Sequence, residues 1–107
     1  MNADRKDAGK LPIHLVPPSA ILAMAEVLEM GAKKYAERNW EKGMAYSRCY
    51  NSAMRHLLAW HDGQDLDPES NLNHLKHALT NIAFLIEYLN THTELDDRPE
   101  KFLGEEL

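Results

Sequence analysis

Cysteine is nearly absent: Cys49 is the only one among 107 residues. An intrachain disulfide and a cysteine-based zinc site are thereby excluded, and a reducing, cytoplasmic setting is expected. Long apolar runs are missing as well, so no membrane span is expected. No signal-peptide core follows the polar start Met1-Asn2-Ala3-Asp4-Arg5-Lys6. A basic excess is lacking too: 12 Lys and Arg against 17 Asp and Glu give a net charge of −5. A nucleic-acid polymer is therefore not an expected partner, because such binders present a basic face. A few local cations still suffice for one small anionic ligand. The five glycines form neither a Gly-x-x-x-x-Gly-Lys phosphate loop nor a Gly-x-Gly-x-x-Gly turn. Internal repeats and low-complexity segments are absent.

What the chain does have is helical periodicity. Its length predicts one all-α domain over residues 1–107: an extended arm (1–18), a helical core (19–90) and a tail (91–107). Gly9, Pro12, Pro17 and Pro18 oppose a helix in the arm, while Leu11, Ile13, Leu15 and Val16 give it apolar groups to bury. Lys10 and His14 reach toward a site from there, or the arm is simply a tether packed on the helices. A first helix is predicted from Pro18 or Ser19 to about Tyr35, with Ile21, Met24, Ala25, Leu28, Ala32 and Tyr35 on its inner side. Gly31 in that helix suggests a close approach. A second helix is predicted from Ser47, as its cap, to His61, with Cys49, Ala53, His56, Leu57 and Trp60 inward. Cys49 on that stripe reads as a core residue rather than a nucleophile. The third helix, from about Leu72 to Asn90, places Leu75, Ala78, Leu79, Ile82, Leu85, Ile86 and Leu89 in a core stripe. Lys76, Thr80, Ala83, Glu87 and Asn90 fall on its outer side. In the tail, Phe102 and Leu103 are expected to pin the chain to a neighbour.

Candidate chemistry concentrates between Arg55 and Asn81, which hold His56, His61, His74 and His77 around an acidic loop. His74, His77 and Asn81 share an arc with Phe84 and Tyr88, so these polar groups need partners or a ligand. His74-x-x-His77 with His56 and a carboxylate is one possible metal set, since histidines at i and i+3 share a helix face. Glu26-x-x-Glu29 on the first helix is a second possible clamp, or a solvated stripe with Lys33. Asp65, Asp67, Glu69 and Asn71 alternate like half an EF-hand loop, but Ser70 and Lys76 stand where the turn glycine and bidentate glutamate belong, which excludes that motif. Asp67-Pro68 also reads as a helix cap. Acids (Glu26, Glu29, Asp62, Asp65, Glu69) for a divalent ion and bases (Lys33, Lys34, Arg55) for phosphates together suit metal-assisted phosphate chemistry. Trp40 beside Asn39 in the connecting loop suits a planar base, or else plugs the end of the bundle.

Several ordered blocks then carry a family likeness: Asp7-Ala8-Gly9-Lys10-Leu11-Pro12, His14-Leu15-Val16-Pro17-Pro18, Gly31-Ala32-Lys33-Lys34-Tyr35 and Asn39-Trp40-x-x-Gly43. Arg55-His56-x-x-Ala59-Trp60, Asp65-x-Asp67-x-Glu69-Ser70 and His74-Leu75-x-His77-Ala78 complete the set. Over residues 7 to about 89 the chain resembles the phage-encoded dATP/dGTP diphosphohydrolases, which look similar to MazG-type all-α pyrophosphohydrolases. The resemblance implies hydrolysis of a purine deoxynucleoside triphosphate to its monophosphate and diphosphate, with magnesium or manganese. It also implies a homodimer or homotetramer in the host cytoplasm, and some relatives serve phages that replace adenine by 2-aminoadenine. Asp65, Glu69 and His56 are then the expected catalytic groups, with metal on Asp65, Glu69, His74 and His77 helped by Glu26 and Glu29. Lys33, Lys34 and Arg55 would steady phosphates, and Tyr35, Asn39, Trp40 and Asn81 would complete the substrate site. One departure stands out. MazG-type sites carry a second acidic pair, Glu-x-x-Asp, where this chain has His74-x-x-His77. The alternative is therefore a protein of phage origin that binds and sequesters a nucleotide without cleaving it.

Overall fold

The computed structural model describes residues 3–100. It is all-helical: α1 spans Pro18–Lys34, α2 Tyr46–His61 and α3 His74–Thr91, with short 3-10 turns at Ile13–Leu15, Asn39–Lys42 and Thr93–Leu95. Phe102 and Leu103 lie outside the described residues. No helix among the described residues is long and apolar enough to cross a membrane.

Helix starts follow local chemistry, with one surprise. Pro17 is the extended residue before α1 and Pro18 its first helical residue, where a missing N–H costs nothing. The Asn73 side chain accepts the Leu75 N–H at 2.8 Å and caps α3. Ser47 is not the cap of α2. That helix begins at Tyr46 after Ala45, and the cap is borrowed from far along the chain. Asp97 accepts both the Ser47 N–H, at 2.9 Å, and the Ser47 hydroxyl. A carboxylate at a helix N-terminus meets free N–H groups and the positive end of the dipole. Those bonds hold the Asp97 carboxyl below the ordinary carboxylate range.

α3 is the central element, with α2 packed along it and α1 crossing it. The arc of α3 that meets α2 carries His74, His77 and Tyr88, all buried, together with Asn81 and Phe84. Tyr46 and Cys49 of α2 and Tyr88 form the inner core, walled by Trp40, Met44, Phe84, Leu85 and Leu95. Tyr46 donates to the Tyr88 carbonyl, and Tyr88 donates to the Trp40 carbonyl, so both buried phenols are satisfied. Burial pushes the Tyr88 hydroxyl up to about 12. It also raises the Cys49 thiol, consistent with an inert core residue.

The helical phases correct several expectations. Thr80, expected outside, is 1% exposed, its hydroxyl bonded back to the Lys76 carbonyl. Ile82, Ile86 and Leu89, expected in the core, are 42%, 59% and 59% exposed. On α1 the buried residue is Ala23, whereas Ile21, Leu28 and Tyr35 face outward. Trp60 is likewise exposed rather than beside the core. The physical reason is common to all. Short and polar residues that find hydrogen bonds let helices approach closely, so the bulkiest apolar stripe is not the one this chain covers by itself. The arm is also unpacked, with Leu11, Ile13 and Leu15 all exposed. Gly31 serves no close approach: a Cβ there would meet open space.

Candidate functional site

The loop between α2 and α3 is tightly built. Leu66 and Asn73 form an isolated antiparallel bridge, the Asp67 N–H reaches the Leu72 carbonyl, and the His74 N–H reaches the Asp65 carbonyl at 2.9 Å. Asp67-Pro68 does not start a helix. Asp67 instead closes a turn by accepting from the Ser70 hydroxyl at 3.0 Å and from the Glu69 N–H. Burial alone would raise the Asp67 carboxyl, but the Ser70 and Glu69 bonds and the nearby imidazoles hold it below its ordinary value.

Against this loop sits a group of three imidazoles. His56 and His77 stack with centroids 4.5 Å apart and planes 13° apart, and His74 tilts against His56 at 5.0 Å. Hydrogen bonds decide their tautomers. His74 Nε2 faces the Gln64 Oε1 carbonyl at 2.7 Å, and a carbonyl only accepts, so that nitrogen carries the hydrogen. His74 Nδ1 lies 2.8 Å from His56 Nδ1, so one of the two rings donates to the other there. His56 Nε2 makes no hydrogen bond among the described residues. The same logic applies to His77. Ser70 spends its hydrogen on Asp67 and accepts from the Leu72 N–H, so His77 Nε2 donates to the Ser70 oxygen at 2.7 Å. Burial, reinforced for His56 by the neighbouring His77, lowers the pKa of both. Both directions favour the neutral rings at pH 7.

Around this group the expected charges occupy paired positions. Lys34 at the end of α1 bonds Glu69 at 2.9 Å, and Lys76 of α3 bonds Glu26 of α1. Lys33 and Glu29 are a solvent-facing pair at 3.8 Å. Asp65 and Arg55 are exposed, and neither side chain makes a hydrogen bond or ion pair among the described residues. Asn81 donates to Ser52 and to the His77 carbonyl, binding α2 to α3. Tyr35, Asn39 and Trp40 share a separate cleft of about 800 Å³ with Arg38, Arg48 and Phe84. Trp40 stacks one face on Phe84, centroids 4.9 Å apart, and thus also closes the bundle end.

The donors do not fit a divalent cation as they stand. Among the described residues no group of three or more His, Cys, Asp or Glu is placed to hold a metal ion. Glu69 and Glu26 are each closed by a lysine, and both ring nitrogens of His74 are taken. Asp65, Glu69, His74, His77, Glu26 and Glu29 are thus not gathered at one point. Sequence reading missed Gln64 and underrated Ser70 and Lys76. Ser70 sits seven residues before His77, across the turn that leads into α3, and only the folded loop brings the two together.

The fold and site define a small all-α protein with an imidazole-lined seam between α2 and α3 and a separate aromatic cleft. The chain belongs to the dATP/dGTP diphosphohydrolase family, matching the model of its N-terminal region over residues 1–98. It is 34% identical over 98 residues to a dATP/dGTP diphosphohydrolase of Salmonella phage PMBT28, a match that covers 92% of this chain. The chain spans 33% of that relative's length. No solved structure matches it.

Proposed function

We infer that this chain hydrolyses a purine deoxynucleoside triphosphate, dGTP or dATP, to the monophosphate and diphosphate. The family membership sets the class, and one feature of the structure supports turnover: His56, its pKa lowered by burial and its Nδ1 tied to His74, makes no hydrogen bond at Nε2 among the described residues and offers that nitrogen as the base. A water attacks the α-phosphorus and loses its proton to His56 Nε2, and the bond to the β-phosphate oxygen breaks to release diphosphate. Arg55, next to His56 in the chain and without an ion pair among the described residues, and Lys34 neutralise charge growing on the leaving group. The cleft lined by Tyr35, Asn39 and Trp40 receives the base. A requirement for magnesium or manganese belongs to this proposal as a question for assay, and no step is routed through an ion.

A second reading, binding without cleavage, is favoured by the lysines that occupy Glu26 and Glu69. One assay separates the two. The chain is incubated with dGTP or dATP, with magnesium, manganese or chelator, and the nucleotides are resolved afterwards. Monophosphate with diphosphate supports hydrolysis. Retained but unchanged triphosphate supports sequestration, and neither outcome with any purine nucleotide overturns both.

A further inference from the structure

The cleft that holds Tyr35, Asn39, Trp40 and Phe84 also carries cations that the phosphate chemistry does not use. Arg38 is bonded to Glu41 at 2.7 Å. Lys42 is exposed, a compact point charge on a flexible stem. Arg48 differs from both. It stands in the first turn of α2, lines the same cleft, and makes no hydrogen bond or ion pair among the described residues. Burial raises the Tyr88 hydroxyl and the Cys49 thiol, and the Arg48 charge opposes that rise at both. Tyr88 in turn donates to the Trp40 carbonyl, so the Arg48 charge belongs to the aromatic end of the cleft.

The imidazoles lie further along the same helix pair. Seven residues of α3 separate Phe84 from His77, and eight of α2 separate Arg48 from His56. At 1.5 Å per residue both intervals are roughly 10–12 Å. With the reacting phosphorus at His56, Arg48 stands at the distance of the base rather than of the phosphates.

We propose that Arg48 reads guanine, donating to O6 and N7 of a base held in the aromatic cleft, and so favours dGTP over dATP. The proposal rests on the nucleotide reading given above and assigns its base selectivity to one side chain. Arginine carries five N–H donors in a rigid plane and no acceptor. Guanine presents two acceptors on that edge, which the fork engages together. Adenine keeps N7 but has an amino group in place of O6, so a donor would face a donor. Lys42, as a point charge, does not span two acceptors in one plane. Asn39, half-buried in the cleft, carries both a donor and an acceptor and so tolerates either base. Discrimination therefore falls to Arg48.

The test is the ratio of kcat/KM for dGTP to that for dATP in wild type and in Arg48→Met. Where nucleotide is bound without cleavage, the corresponding Kd ratio is read instead. Wild type is expected to favour dGTP about tenfold or more, and Arg48→Met to remove most of that preference. 7-Deaza-dGTP, which lacks the N7 acceptor, should weaken wild type severalfold and cost the variant nothing further. Equal losses for dGTP and dATP in Arg48→Met would make the residue a phosphate contact and overturn the proposal, with hydrolysis left standing. A wild type that treats the two nucleotides alike overturns it as well. A wild type that neither binds nor cleaves any purine nucleotide overturns both this assignment and the reading beneath it. Arg48 is exposed, so far-UV circular dichroism of the variant should stay helical. If Arg48→Met fails to fold, wild type with 7-deaza-dGTP decides, and an undiminished kcat/KM or Kd overturns the contact.

Discussion

At the residue scale, two glycines separate conformational need from mere tolerance. Gly43 has φ +96°, and a Cβ there would stand 2.5 Å from Leu95 Cδ1. Gly43→Ala is expected to destabilise by more than about 1 kcal/mol. Gly31 is helical with open space around it, so Gly31→Ala is expected to stabilise by about 0.5–1 kcal/mol. Denaturant titration reads both, and equal signs would contradict the two environments. His56 is the decisive polar residue. His56→Gln keeps a donor toward His74 but removes the Nε2 lone pair, so turnover should fall roughly 100-fold or more with the helical content kept. Full turnover in that variant would exclude His56 as the base. His74 and His77 were visible together in the sequence because helical phase brings residues three apart onto one face, and His56 was legible on the inward side of the second helix. Their tautomers were not visible, since these depend on Gln64 and Ser70 in a loop whose path no periodicity dictates.

At the element scale, the α2–α3 pairing is built on imidazoles that must stay neutral. Both His56 and His77 have folded pKa values below the ordinary 6.5, so below that pH the unfolded chain binds more protons than the folded one. Stability therefore falls as pH drops through 6.5, with a slope of up to about 1.4 kcal/mol per pH unit for each histidine. Asp67, whose carboxyl is held low, adds a loss only at more acidic pH, as it becomes protonated. The melting temperature should hold from pH 8 to 7 and decline from pH 6.5 toward 5. A flat profile across that range would mean that the imidazoles charge freely in place. The three helices themselves were legible, because the 3.6-residue period and the prolines mark them. Their facing sides were not. α3 carries one broad apolar stripe and one narrower arc of His, Asn and aromatics, and period alone makes the broad stripe the core. The chain buries the narrower arc because Ser52, His56 and Tyr46 of α2 complement it.

At the scale of the whole molecule, the exposed stripe and the unpacked arm make the isolated chain an open structure, and ligand binding is linked directly to its stability. A nucleotide at about 100 times its dissociation constant adds roughly 2.7 kcal/mol to a fold that binds it only when folded. For a domain near 100 residues each kcal/mol moves the melting temperature by about 4–8 °C. Saturating dGTP or dATP should thus raise it by about 10 °C or more, and thymidine triphosphate by clearly less if the aromatic cleft selects purines. Recording the same melts with chelator and with manganese divides the contributions. A rise that survives chelator places the affinity in Lys34, Arg55 and the Trp40 cleft. A rise that appears only with manganese means that Lys34 and Lys76 yield Glu69 and Glu26 to a cation when nucleotide arrives. No rise with either purine nucleotide under either condition would remove the nucleotide from the account altogether, leaving the imidazole network as a structural device that joins α2 to α3.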